Sequence, residues 1–119
     1  MFRTLVIEPK AKPRMTKQDK WMQRPIVVDY RAYANKLLSF GLKSAFNELT
    51  IDFYLSMPKS WSKKKKREME GQPHQQTPDI DNLIKGFMDA LLKQDCHVWS
   101  VNARKFWGYE GNIFLNVDG

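Results

Sequence analysis

The segment Ile80–Leu92 limits what this chain can fold into more than any other. Ile80, Leu83, Ile84, Phe87, Leu91 and Leu92 recur at helical spacing and form one apolar stripe, with Asp81, Lys85 and Asp89 on the opposite side. Such a helix must bury its stripe on another layer. A partner is legible upstream. Thr50–Met57 alternates, with Ile51, Phe53, Leu55 and Met57 on one face and Thr50, Asp52, Tyr54 and Ser56 on the other, the pattern of a half-buried strand. Thr4–Ile7 reads as a short strand. Val98–Trp107 and Asn112–Val117 read as two more, joined by a turn at Gly108–Gly111. A first helix is expected from Asp29, as N-cap, to about Asn47, burying Tyr30, Tyr33, Ala34, Leu37, Leu38, Gly41 and Ala45. The expected order is β-α-β-α-β-β: a compact α/β domain, a mixed sheet with two main helices packed on it. With 119 residues, 42% of them hydrophobic, the whole chain 1–119 is read as a single domain with one core.

Two polar stretches interrupt this pattern. Residues 9–25 form a basic arm carrying Lys10, Lys12, Arg14, Lys17, Lys20 and Arg24, and its prolines keep helix out of it. Residues 58–78 form a basic loop, long for a connection inside a small domain. Lys63–Glu70 within it is able to form a short exposed helix that Gly71 and Pro73 stop. Lys and Arg outnumber Asp and Glu by 20 to 13, a net charge of +7, which suits a polyanionic partner such as nucleic acid. The run Lys63–Arg67 is either a phosphate-contacting surface or a solvated face. A single cysteine, Cys96, excludes an intrachain disulfide and a cysteine-rich zinc site. The chain shows no signal peptide or membrane-spanning stretch, and a reducing cytoplasm is expected.

The stretch PDIDNLIKGFMDAL places Asp79 and Asp81 where the second helix begins. Asp79 is the expected N-cap, with Asp81 inside the first turn. Two fully helical residues two apart diverge by roughly 200° around the axis. An extended Asp79 instead lets its side chain swing toward Asp81, so that both carboxylates can share a hard cation such as Mg²⁺. The positive end of the helix dipole opposes a cation there, which calls for a third acid. Lys85, four residues after Asp81 on the same face, is either its salt-bridge partner or a charge placed to stabilise a phosphodiester under attack. An ordinary capped and salt-bridged surface helix is the competing reading. An EF-hand is excluded, because the sixth position lacks the required glycine. His74, five residues before Asp79, is expected to be solvated in the loop.

The stretch PDIDNLIKGFMDALLKQD resembles the signature of the RusA family of Holliday junction resolvases, endonucleases best known from prophages. The shared pattern comprises Asp79, Asp81, Asn82, Leu83 and Lys85, then Asp89-Ala90-Leu91, then Asp95. KPRMT near the N-terminus, the loop PKSWSKKKKREMEGQPH, and KFWG at Lys105–Gly108 resemble further segments of the family, in order along the chain. The resemblance implies a RusA-like fold, Asp79, Asp81 and Asp95 as metal-binding acids, and Lys85 as the catalytic lysine. It also implies Mg²⁺ as the metal, with Mn²⁺ able to substitute. Family members often carry a longer stretch with an Asp-Asp pair before the next strand, whereas here the helix runs through Lys93-Gln94 straight to Asp95.

The expected activity is cleavage of branched DNA, above all four-way junctions, by a homodimer making paired nicks; a two-fold dimer supplies two sites in the required relation. Lys10, Lys12, Arg14, Lys17, Lys63, Lys64, Lys65, Lys66, Arg67 and Lys105 are the expected phosphate contacts. Trp21 and Trp61 are expected to pack rather than to stack on bases. Asp95 lies past the far end of a helix that starts at the other two acids. Either the helix is shorter and the chain folds back to bring Asp95 to its own subunit's acids, or each Asp95 serves the partner subunit's acids; of the two, the composite site is the favoured expectation. Two other classes fit the charge: a non-catalytic basic nucleic-acid-binding module, and a small phage structural protein whose acids are only surface charge.

Overall fold

The computed structural model describes residues 2–14, 16–17, 24–42, 46–92 and 96–117. Its elements are β1 (Phe2–Leu5), α1 (Pro25–Ser39), β2 (Glu48–Ser56), α2 (Lys63–Met69), α3 (Ile80–Leu91), β3 (Ser100–Gly108) and β4 (Asn112–Val117). The strands form one mixed sheet in the order β1-β4-β2-β3. β2 runs parallel to β3 and antiparallel to β4, and β1 is antiparallel to β4.

The alternation in β2 places Leu49, Ile51, Phe53 and Leu55 in the core. There they meet Tyr30, Tyr33 and Leu37 of α1, Leu83, Phe87 and Leu91 of α3, and Ile113 and Leu115 of β4. The stripe expected for α3 is thus buried as its spacing requires. The opposite sheet face carries Tyr54, with its ring centroid 5.2 Å from Phe106 and 5.1 Å from Phe114, and the bidentate pair of Arg104 with Asp52 at 2.9 and 2.8 Å. Among the described residues no helix is long and apolar enough to cross a membrane.

Several element boundaries differ from the expectation, among them β2 at Glu48–Ser56, β3 at Ser100–Gly108 and the end of α3 at Leu91. Helix α1 starts at Pro25, not Asp29, because proline is tolerated in the first turn, where its missing N–H has no helical partner in any case. It ends at Ser39 rather than near Asn47: the Phe40 and Gly41 N–H groups fold back onto the Leu37 and Leu38 carbonyls, and Gly41 takes φ +68°, a left-handed stop that favours glycine. Ala45 lies outside the described residues. Strand β1 sits two residues earlier than expected, since its ladder closes at Leu5–Ile113, next to the first residue of β4. The last two strands are joined through Tyr109–Gly111 but do not pair, because β2 lies between them. Helix α2 forms where the loop allowed one, with the Ser62 hydroxyl accepting from the Lys65 N–H at 3.1 Å.

Candidate active site at the start of helix α3

Asp79 is the N-cap of α3, extended at φ −68° and ψ 147°, and its carbonyl accepts from the Leu83 N–H at 3.1 Å. Its carboxylate makes no capping hydrogen bond. Asp81 lies in the first turn, and both acids are exposed. Among the described residues neither carboxylate has a hydrogen-bond or ion-pair partner. Lys85, one turn on, forms no salt bridge with Asp81 or with any other described residue. Among the described residues, then, neither side-chain capping nor ion pairing accounts for two acids and a lysine here. Two free carboxylates are hard oxygen donors of the kind Mg²⁺ takes, one or two at a time, alongside water and phosphate oxygens.

The basic arm crosses α3 beside them. The Lys12 N–H donates to the Asn82 carbonyl at 3.1 Å. A Cβ on Gly86 would lie 2.8 Å from the Lys10 carbonyl oxygen and 2.9 Å from the Lys12 nitrogen, so this close backbone approach requires glycine. The Tyr30 hydroxyl donates to the Gly86 carbonyl at 2.8 Å. Burial, and then the nearby Asp89 charge, push that phenol up to about 12. Lys12 pairs with Asp89 at 3.5 Å and lies 5.0 Å from the Tyr30 ring centroid, so this expected phosphate contact also ties the arm down. Lys12, Pro13, Arg14, Asn82 and Lys85 line one notch, which brings three cations to the side of α3 where the arm crosses.

The other boundary of the site is the segment Gly71–Pro78, which runs along the free edge of β3. The Gly71 N–H donates to the Trp107 carbonyl at 2.9 Å, the Trp107 N–H to Gln72 at 3.0 Å, and the His74 N–H to Lys105 at 3.0 Å. His74 is not solvated as expected: it is 4% exposed, its ring 4.1 Å from that of Trp107. Burial, and then the Lys105 charge, lower its pKa and favour the neutral imidazole. Trp61 packs on Trp107, with ring centroids 4.8 Å apart, and the Lys65 ammonium sits 4.2 Å over Trp61. Trp61 thus has the packing role expected of it, and it fastens the basic loop to the sheet.

A model of the RusA endodeoxyribonucleases matches residues 6–118. This chain belongs to that family. Comparison with curated proteins finds no match. The family match spans the arm and helix α3, which line the notch, together with Asp79 and Asp81.

Of the family-implied site, the structure places Lys85 in one notch with Lys12 and Arg14 of the arm, and Asp79 and Asp81 at the N-cap and in the first turn of the same helix. Asp95 and Trp21 lie outside the described residues. Among the described residues no three acids, histidines or cysteines converge on one point. Lys10, Arg14, Lys17, Lys63, Lys64, Lys65 and Arg67 are exposed, and Lys66 is half-buried. Lys105 behaves differently: it is half-buried, and its ammonium donates to the Gln76 carbonyl at 2.5 Å and to the Pro78 carbonyl at 2.7 Å. Sequence reasoning missed this, as it missed Gly86 and the Lys12–Asp89 tie. The alternation of β3 held the signal for Lys105, because it shares a face with Trp107.

Proposed function

We propose that this chain is a divalent-metal-dependent, structure-selective endonuclease that resolves four-way DNA junctions as a homodimer. The observation that carries the reading is Asp79 and Asp81 with Lys85 one turn away, none of their side chains having a partner among the described residues, in a chain of an endodeoxyribonuclease family. Asp79 and Asp81 would hold Mg²⁺, or Mn²⁺ in its place; when bound, the cation supplies a Lewis acid that activates water and neutralises phosphate charge. Lys85 supplies a fixed positive charge where negative charge builds on the attacked phosphodiester. Arg14, with Lys12 and the exposed lysines of α2, holds neighbouring phosphates without reading sequence.

Asp95 is the third acid of this reading. Helix α3 has 12 residues, about 18 Å of rise, between Asp79 and the C-cap Leu92. Two such helices, antiparallel about a two-fold axis, would set each Asp95 beside the partner's Asp79 and Asp81. That arrangement also gives the two symmetry-related nicks their two sites.

The test is incubation of a synthetic four-way junction and a matched linear duplex with the protein, with and without Mg²⁺. Paired nicks in the junction only, and only with metal, are expected. Tight binding without cleavage in any divalent metal would point to a non-catalytic binding module instead.

Neutralising Lys63, Lys64, Lys65 and Lys66 together is expected to weaken junction binding and flatten its salt dependence, each lost phosphate contact reducing the log–log slope by about one. Fluorescence anisotropy across a salt series measures it. An unchanged slope would make α2 a solvated face.

A further inference from the structure

Strand register puts Lys105 in an unusual place. Ala103, Lys105 and Trp107 of β3 lie beside Ile51, Phe53 and Leu55 of β2, all three of which are core residues. Alternate residues of a strand share a face, so Lys105 leaves the sheet on its helix-bearing side, next to a fully buried phenylalanine. An apolar side chain would be ordinary there. A cation at that position needs partners, and it has two charge-assisted ones, the carbonyls of Gln76 and Pro78.

Those carbonyls lie in the last residues before Asp79. The Pro78 carbonyl belongs to the peptide plane that enters Asp79, and Lys105 holds it. The Asp79 carbonyl belongs to the plane that leaves it, and the Leu83 N–H holds that one. Both planes around the Asp79 Cα are thereby fixed, leaving its carboxylate only side-chain rotation. Metal ligands require this kind of support, because a loosely held donor has to be ordered each time the cation binds.

We propose that Lys105 is a positioning residue that sets the Asp79 carboxylate for metal binding by pinning the Gln76 and Pro78 carbonyls, rather than a contact to DNA phosphate. The proposal rests on the nuclease reading above. The rest of the segment agrees with it: His74 and Gln72 pair with the same strand edge on either side of Pro73, so Lys105 completes a continuous attachment from Gly71 to Asp79.

The test uses Lys105→Met, which keeps the unbranched stem and removes the donors. Mn²⁺ binding to the DNA-free protein is measured by titration calorimetry, the Mg²⁺ requirement by junction cleavage, and junction affinity by anisotropy without divalent metal. Mn²⁺ affinity is expected to fall about 10- to 100-fold and the Mg²⁺ requirement to rise in step. Junction affinity and its salt slope are expected to stay at the wild-type values. Lys105→Arg, which keeps charge and donors, is expected to recover most of the metal affinity. Should Lys105→Met fail to fold, Lys105→Gln, with a shorter, uncharged amide donor group, is expected to show an intermediate loss. Wild-type metal affinity in a folded Met or Gln variant overturns the proposal. So does a salt slope reduced by about one with metal binding unchanged, which would make Lys105 a phosphate contact. A wild-type chain that cleaves while these variants match it sinks only the role of Lys105, whereas a wild-type chain that neither binds Mn²⁺ nor cleaves overturns the nuclease reading as well.

Discussion

Asp81→Asn is expected to abolish junction cleavage while leaving junction binding intact or tighter. The substitution removes one of two candidate cation ligands and one negative charge beside the basic notch, and it leaves the basic surface untouched. The structure limits the side effects. The Asp81 carboxylate is exposed and makes no hydrogen bond or ion pair among the described residues, so no partner is stranded when it becomes an amide. The remaining cost is the favourable interaction of an acid with the helix N-terminus, about 0.3–1 kcal/mol at an exposed site. The melting temperature should therefore move by only a few degrees. Gel shift, cleavage assay and thermal melt on one preparation decide the matter. Loss of binding together with cleavage would point to a folding role for Asp81.

The chemistry-bearing helix was legible because its pattern is local. The stripe Leu83, Phe87 and Leu91 dictates which face is buried, and that leaves Asp81 and Lys85 outward whatever the stripe packs on. The proline before Asp79 likewise announced the helix start. What could not be read were contacts between segments distant in sequence. Gly86 looks like a weak spot in a helix until the arm is seen to cross it at Lys10–Lys12. Asp89 looks like a solvent-facing acid until Lys12 arrives from the arm. His74 looks solvated in a polar loop because nothing local shows that Gly71–His74 will pair with the edge of β3 and lay the imidazole on Trp107. The order of the strands was not legible for the same reason: Tyr109–Gly111 links β3 to β4, yet β2 lies between them in the sheet. Even the boundary error at α1 has this character, since Pro25 is compatible with either a loop or a first helical turn and only the packing of Val27 and Tyr30 chooses.

Lys85→Ala is expected to reduce kcat by about 10²–10³, or roughly 3–4 kcal/mol of transition-state stabilisation, with junction affinity nearly unchanged. Two observations separate this from the competing role. First, Lys85 forms no salt bridge with Asp81, so it is not there to support the helix. Alanine is the better helix former, and the exposed side chain leaves no cavity, so the fold should tolerate the change. Second, Lys85 shares its notch with Lys12 and Arg14, and the arm and α2 carry further cations. One charge among so many contributes little to holding the duplex arms, whereas a charge fixed beside the reacting phosphate acts on the transition state alone. Such a group lowers kcat and kcat/KM equally when it is removed. Single-turnover cleavage at saturating junction, with the binding constant measured separately, reads both quantities. A rate equal to the wild-type rate would show that Lys85 is a surface lysine and that the reaction relies on the two aspartates and their cation without it. A binding loss matching the rate loss would instead place Lys85 among the phosphate contacts of the arm.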